Sequence, residues 1–172
     1  MEKVIEVLNR MQADGVIEKF AIGGGIATIR YLEAYLTDDI DVFIHPVIVG
    51  DNGLVSFGRI YEYLRELGYY PEREYIKIEG WLVQFVPASE SVQEEAVAQA
   101  DRVAFAGAYT LMFSAEHLAA ELLRSGRPKD HARVISLLES EQMDMTVFRD
   151  IVSRHGLAET WKEFASHYDL EE

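Results

Sequence analysis

The feature that most constrains the fold of this chain is a run of three glycines between an apolar run and a helical pattern. The apolar run covers residues 20–22 and the helical pattern covers residues 26–36. Glycine at a strand-to-helix turn lets the backbone approach a phosphate closely, and the positive end of the helix favours the phosphate charge. The turn is therefore predicted to bind phosphate, and it consists of Gly23, Gly24 and Gly25.

Two aspartates follow this helical pattern at a spacing that suits a metal ion. Asp39 and Asp41 alternate with Ile40, Val42 and Ile44, so residues 39–44 are predicted to form a β-strand with one apolar face. Side chains at positions i and i+2 of a strand share a face, which puts the two carboxylates side by side. A hard cation relieves the repulsion between them, typically together with substrate phosphates. The sequence therefore predicts a Mg²⁺ or Mn²⁺ site at Asp39 and Asp41.

The composition excludes several classes of protein and site. The chain of 172 residues is 49% hydrophobic, enough for one domain with a sizeable core, and it has no cysteine for a disulfide or a thiolate metal site. No apolar run approaches the ~20 residues of a membrane span, and residues 1–12 lack the apolar core of a signal peptide. We therefore expect a cytoplasmic protein without membrane contact.

The net charge of −14 argues against extended binding of DNA or RNA, which requires a broad cationic surface. Small nucleotides, or a protein partner that carries positive charge, fit this balance better. One local basic cluster remains, formed by Arg124, Arg127, Lys129 and Arg133.

The periodicity of the chain changes near Ser114. Before it, helical spacing and strand-like runs are mixed, whereas residues 47–57 have the composition of a loop. The predicted helices of this part are 2–14, 26–36, 58–67 and 92–100, and the predicted strands are 20–22, 39–44, 74–78, 81–86, 103–106 and 109–112. After Ser114 the chain is predicted to be helical at 115–124, 128–140, 146–154 and 157–167. We therefore predict an α+β fold, with a mixed sheet carrying helices on one side in residues 1–113 and an α-helical part in residues 114–172 packed on it.

The glycine turn and Asp39-Ile40-Asp41, with Leu36-Thr37 leading into the strand, resemble the nucleotidyltransferase superfamily related to DNA polymerase β. Residues 83–88, 116–120 and 126–133 resemble later blocks of a bacterial subgroup of small stand-alone proteins, akin to the nucleotidyltransferase toxins of abortive-infection systems. The resemblance covers roughly residues 20–160. It implies an α+β nucleotidyltransferase-like fold and metal-dependent transfer of a nucleoside monophosphate from an NTP to a hydroxyl. The sequence leaves open whether the acceptor is a small molecule, a protein or an RNA end.

The resemblance also implies roles for residues near the second half of the chain. Lys129 would neutralise the charge of a triphosphate, while Asp130 would act as a base or orient that lysine. Arg127 would contact the nucleotide, because Glu121 stands where related toxins often have a lysine. The structural alternative is an ordinary helix start behind Pro128, with Asp130 near the positive helix end and Lys129 exposed.

Gln84 departs from the pattern of the superfamily. Polymerase-like nucleotidyltransferases commonly place a third acid on a strand next to the paired aspartates, and Gln84 stands in the middle of the candidate strand 81–86. Its amide can bind a nucleotide through hydrogen bonds but cannot hold a cation as a carboxylate does. Two functions therefore remain: an active nucleotidyltransferase, or a catalytically inactive nucleotidyltransferase-like protein that serves in binding, regulation or a toxin–antitoxin pair.

Overall fold

The computed structural model describes residues 1–32, 35–45, 48–49 and 54–170. Helices and strands are interspersed in this part as far as Met112, and only helices follow it. The helices are α1 (Glu2–Ala13), α2 (Gly24–Tyr31), α3 (Gly58–Glu66), α4 (Ser91–Ala98), α5 (Ala115–Ser125), α6 (Pro128–Glu139), α7 (Met145–Arg154) and α8 (Ala158–His167). The strands are β1 (Phe20–Ile22), β2 (Asp39–Ile44), β3 (Ile48–Val49), β4 (Leu54–Val55), β5 (Pro71–Glu72), β6 (Tyr75–Ile78), β7 (Trp81–Pro87), β8 (Asp101–Phe105) and β9 (Ala108–Met112).

Seven of these strands form one mixed sheet in the order β5-β6-β7-β2-β1-β9-β8. The aspartate strand β2 lies near its centre, parallel to β7 and antiparallel to β1. Strand β1 in turn pairs with β9 in parallel, at Ile22 and Met112. Because β1 and β2 are neighbours, the glycine turn that follows β1 lies beside the first residues of β2.

The alternation of side chains along the strands divides the core into two layers. Ile40, Val42 and Ile44 of β2 pack with α1 and α3 on one face of the sheet. Phe43 points to the other face, where it packs with α4 and the C-terminal helices. The two aspartates share the face of Phe43, but they precede it on the strand and remain partly accessible. The sheet therefore presents both carboxylates next to the C-terminal helices.

The predicted α+β fold class is confirmed. Helix α2 begins at Gly24 and ends at Tyr31, five residues before the predicted end, because Leu32 adopts an extended conformation. Within the predicted loop 47–57, the prediction was wrong for β3 and β4, which pair as a two-stranded ladder. Residues 47 and 50–53 of that prediction lie outside the described residues.

The change from sheet to helix after β9 coincides with the boundary predicted at residue 114. The core cluster on the site face includes Phe43 and Phe113 together with Leu118 and Leu122 of α5, so the helices are packed directly on the sheet. The division into domains 1–113 and 114–172 stays a prediction. Among the described residues, every helix is too short or too polar to span a membrane.

Candidate active site

The paired aspartates lie on one face at the start of β2, where both side chains are partly exposed. Thr37 Oγ1 donates a hydrogen bond of 2.5 Å to Asp39 Oδ1. A hydrogen bond to a charged acceptor is short and directional. It therefore orients the Asp39 carboxylate through one oxygen, and the second oxygen can bind a ligand.

The glycine turn packs so closely against the aspartate strand that none of its three residues has room for a side chain. Gly24 has a φ of +53°, and a Cβ atom on it would collide with the carboxylate of Asp41. A Cβ atom on Gly25 would come within 2.5 Å of Thr37 Oγ1, and one on Gly23 within 2.5 Å of the ring of Phe43. Absence of side chains in the turn therefore lets the N-terminus of α2 contact the residues that present the carboxylates.

Asp41 is held in an environment that disfavours its charge. Burial, and then the neighbouring charge of Asp39, raise the pKa of Asp41 from 3.8 to about 6. Arg127 and Lys129 act in the opposite direction, and Asp130 adds a smaller upward contribution. The two negative charges repel each other in a partly buried position, and a bound cation would relieve this repulsion.

Gln84 lies directly beside this pair. Strands β2 and β7 are in parallel register with Asp41 opposite Gln84, so the two side chains leave from the same face of adjacent strands. The register places Gln84 where the resemblance expects the third acid. On β6, which pairs with β7, Tyr75 precedes Ile76, the residue opposite Val83, so it shares the face of Gln84, and burial and then the charge of Asp39 raise the pKa of Tyr75.

A cleft of about 390 Å³ opens from the aspartate pair towards α5. Its polar lining comes from the strands and from helices α4 and α5 and the turn after α5: Asp41, Gln84, Gln93, Glu121, Arg124, Ser125 and Arg127, with Gly24 beside Asp41. Its apolar lining is formed by Phe43, Val86, Leu118 and Leu122. Apolar walls with a small number of convergent polar groups are typical of sites for small-molecule ligands.

The start of helix α6 places Arg127 in the cleft and Asp130 behind it. Asp130 is fully buried, and its Oδ2 accepts hydrogen bonds from Arg127 Nε at 2.6 Å and Ser125 Oγ at 2.8 Å. Its Oδ1 accepts from Arg133 Nη1 at 2.9 Å. Lys129 is exposed and its charge acts on Asp41, but the contacts of Asp130 are with the two arginines rather than with this lysine.

The three arginines of the basic cluster predicted around α5 and α6 are paired with two buried carboxylates, Glu121 and Asp130. Arg124 forms two hydrogen bonds to the buried carboxylate of Glu121, at 2.8 and 3.0 Å, and Gln93 Nε2 donates to the same carboxylate at 2.9 Å. Arg127 and Arg133 are paired with Asp130 in the same way. The expectation that the chain does not bind extended DNA or RNA stays a prediction.

The structure brings most of the predicted site residues together at one end of β2. Gly24, Asp41, Gln84 and Arg127 line one cleft, while Asp39 lies beside them. Gly23 and Gly25 are buried packing positions, Lys129 lies on the exposed rim, and Asp130 supports the site from behind.

Sequence reasoning missed three features around this site: the position of Tyr75 on the face of Gln84, the Gln93–Glu121 pair and the contact of Arg133 with Tyr35. Only the alternation of residues in β6 gave any sign of which face Tyr75 would share. The other contacts join residues that are far apart in the chain, with no local spacing to reveal them.

The donor set fits a hard cation only in part. Among the described residues, no group of three or more histidine or acidic side chains is arranged to hold a metal ion by itself. Two carboxylates are nevertheless the usual protein share of a Mg²⁺ site, because substrate phosphates and waters complete the coordination. Asp39 and Asp41 therefore fit Mg²⁺ or Mn²⁺ bound together with a nucleotide, and they fit less well a cation held by protein alone.

Comparison with solved structures identifies the fold. The crystal structure of an antigenic nucleotidyltransferase-like protein from Paracoccidioides brasiliensis superposes with a TM-score of 0.53 and 18% identity, over 92% of this chain and 90% of that one. A complex of ANT(2'')-Ia with adenylyl-2''-tobramycin gives 0.47 and 19%, over 96% and 97% of the two chains. The Megavirus polyadenylate synthase gives 0.44 and 16%, over 82% of this chain and 31% of that one.

Of these three, the first has a TM-score above 0.5, and the fold assignment rests on it. No protein-family model matches the sequence, and no curated protein sequence is significantly similar to it. The chain therefore has the nucleotidyltransferase-like fold, as the sequence motifs predicted.

Proposed function

We propose that this protein is a metal-dependent nucleotidyltransferase that moves a nucleoside monophosphate from an NTP to a hydroxyl acceptor. The observation that carries the proposal is the contact between the backbone of Gly24 and the carboxylate of Asp41 at the mouth of the cleft. The contact joins a helix N-terminus, which favours phosphate, to a carboxylate pair, which favours a cation. An NTP with its divalent cation needs both groups at one place.

The backbone of the glycine turn would hold the phosphates. The N-cap residue of α2 is Gly23, which has no side chain to accept hydrogen bonds from the first N–H groups of the helix. These N–H groups, from Gly24 and Gly25 onwards, are therefore suited to donate to phosphate oxygens. Arg127 in the cleft and Lys129 on its rim would add positive charge on the other side of the phosphates.

Asp39 and Asp41 would hold Mg²⁺ or Mn²⁺. When bound, such a cation offsets the negative charge that develops on the phosphate oxygens during transfer. Thr37 keeps Asp39 oriented for this role through its hydrogen bond.

Transfer requires little covalent chemistry from the protein. The acceptor hydroxyl loses its proton to water, its oxygen forms a bond to the α-phosphorus while the bond from that phosphorus to the bridging oxygen breaks, and pyrophosphate leaves. Positioning and electrostatics supply most of the acceleration in such reactions. Gln84 would contribute a hydrogen bond beside Asp41, in the place where related enzymes have an acid.

Transfer of label from α-³²P-NTP tests the proposal. We expect a protein or small-molecule fraction to become labelled in the presence of Mg²⁺ or Mn²⁺, and we expect Asp41→Asn to abolish the labelling. Asp38→Asn is the matched control, because Asp38 is the exposed neighbour of the pair. Absence of transfer from all four NTPs, to every acceptor class tried, would contradict the proposed activity.

The alternative is a protein that binds nucleotide or a partner without transferring anything. Its supporting observation is Gln84, whose register beside Asp41 leaves the site with two carboxylates. This alternative predicts thermal stabilisation by an NTP and Mg²⁺ with no labelled product. Label transfer that depends on Asp41 would exclude it.

A further inference from the structure

Tyr35 and Arg133 lie 98 residues apart in the sequence and form a contact between α6 and the segment before β2. The guanidinium carbon of Arg133 is 4.7 Å from the centroid of the Tyr35 ring, and Nη2 of Arg133 donates to the Tyr35 hydroxyl. Tyr35 precedes Thr37 by two residues, and Thr37 donates to Asp39. The contact therefore connects helix α6 to the segment that leads into β2.

The other end of the same guanidinium is fixed by Asp130. One carboxylate oxygen of Asp130 accepts from Arg133 and the other accepts from Arg127, which lines the cleft. A single buried carboxylate thus sets the position of a cleft arginine on one side and of the Tyr35 contact on the other.

Stability alone does not account for an arginine at position 133. The residue is only 9% exposed, and burial lowers the pKa of Arg133. Removing a guanidinium from water is costly, and apolar residues of similar volume often stabilise such positions better than an ion pair does. A planar group with several fixed donors, by contrast, is well suited to hold a phenol and a carboxylate at defined positions.

We propose that Arg133 is a positioning residue that holds the segment 35–37 against α6 and thereby orients the Asp39 carboxylate for the cation. The inference rests on the proposed function, because it takes Asp39 as a metal ligand. Asp130 belongs to the same arrangement, since it orients Arg133. Residues hydrogen-bonded directly to a metal ligand, as Thr37 is to Asp39, typically change metal affinity by 10–100-fold when they are replaced, and Arg133 acts through the segment that carries Thr37.

Two variants separate the parts of the contact. Arg133→Lys keeps the positive charge but loses the planar group, while Tyr35→Phe keeps the ring and loses only the hydroxyl. The matched control is Arg102→Lys, because Arg102 lies over the ring of Tyr109 at 4.6 Å on the β8–β9 hairpin, three strands from β2.

The first readout is a Mn²⁺ titration followed by electron paramagnetic resonance, with a nonhydrolysable analogue of whichever NTP most raises the Tm of the wild type. The second readout is hydrogen–deuterium exchange of the peptide covering residues 35–39, measured without metal. We expect Arg133→Lys to raise the half-saturating Mn²⁺ concentration about 10-fold or more and to speed exchange in this peptide. Tyr35→Phe should have a smaller effect in the same direction, and Arg102→Lys should have none.

Both variants could lower the Tm while leaving the Mn²⁺ affinity and the hydrogen–deuterium exchange unchanged. That result would show that the contact serves packing only, and it would overturn the inference. Tyr35→Phe keeps the test valid if Arg133→Lys fails to fold. If the wild type binds no Mn²⁺ in the presence of any NTP analogue, the proposed function fails and the inference fails with it. If the wild type binds Mn²⁺ and both variants bind it equally well, the inference alone fails.

Discussion

The substitution Asp41→Asn tests whether the aspartate pair is maintained at a cost to the folded protein. Burial and the charge of Asp39 raise the pKa of Asp41 from 3.8 to about 6. Each pKa unit corresponds to about 1.36 kcal/mol, so the ionised carboxylate destabilises the folded state by up to about 3 kcal/mol. Asparagine has nearly the same shape and no charge, and it should recover much of this free energy.

The effect should depend on pH with a defined sign. Below pH 3.8 the carboxyl group is protonated in both the folded and the unfolded protein, so Asp41 and asparagine should be equivalent. Between pH 3.8 and about 6 the unfolded state loses the proton while the folded state retains it, and the wild type becomes progressively less stable relative to the variant. Above pH 6 the difference should reach its full value, up to about 3 kcal/mol.

Thermal melts between pH 4 and pH 8, with a chelator present, measure this difference. For a domain of this size each kcal/mol shifts the Tm by about 2–4 °C, so the variant should melt up to about 6–12 °C higher at pH 8. Asp38→Asn is the control, because Asp38 is exposed and should give the same melt as the wild type at each pH. An Asp41→Asn protein that is less stable than the wild type at pH 8 would refute the reasoning, since it would show that a structural partner depends on this carboxylate.

The same variant should lose its response to ligand. A nucleotide at ~100 times its dissociation constant stabilises the wild type by about 2.7 kcal/mol, whereas the variant should gain almost nothing from the nucleotide with Mg²⁺. A higher Tm without ligand together with a lost ligand response is the combination that distinguishes a metal-binding acid from a structural one.

Three further substitutions have defined outcomes. Asp39→Asn should lower the pKa of Asp41, because the charge of Asp39 raises it, and an NMR titration of the Asp41 carboxyl group would show a midpoint below about 6. Gly24→Ala should cost about 1–2 kcal/mol of stability, because alanine is strained in the left-handed backbone conformation of this residue. It should also abolish stabilisation by nucleotide and Mg²⁺, because the new methyl group displaces the Asp41 carboxylate. The control is Gly68→Ala, where φ is +87° and the space around the residue is open, so only stability should fall. Glu95→Gln should lower the free energy of unfolding in urea by about 1–3 kcal/mol at pH 7, because hydrogen bonds, chiefly from Arg154, lower the pKa of Glu95 to about 2. This contribution is present above pH 4.5 and declines as the pH falls towards 2. A loss of unfolding free energy at pH 3 as large as that at pH 7 would contradict it.

Local pattern was sufficient to predict the elements that present the site. The alternation around Asp39 and Asp41 predicted both the strand and the shared face, because side chains of a strand alternate regardless of the rest of the fold. The position of Gly24 between strand and helix was also predictable. Its contact with the Asp41 carboxylate was not, since that contact depends on β1 and β2 being antiparallel neighbours.

The rest of the site depends on pairings between distant segments. Asp130 was predicted to be a base or a partner of Lys129, but the structure places it in full burial with both oxygens bonded to arginines and a serine. Sequence alone gives no measure of which charged residue is buried when several lie within one helical turn. The early end of α2 at Tyr31 was likewise not predictable from local pattern, and neither was the contact of Tyr35 with Arg133 of α6.

A crystal structure with Mn²⁺ and an α,β-methylene NTP analogue tests the central claim most directly. The account predicts an anomalous Mn²⁺ peak between the carboxylates of Asp39 and Asp41, with phosphate oxygens against the backbone N–H groups of Gly24 and Gly25. Arg127 should lie on the opposite side of the phosphates. A nucleotide bound elsewhere on the protein, or one bound in the cleft with no Mn²⁺ at the two aspartates, would contradict it.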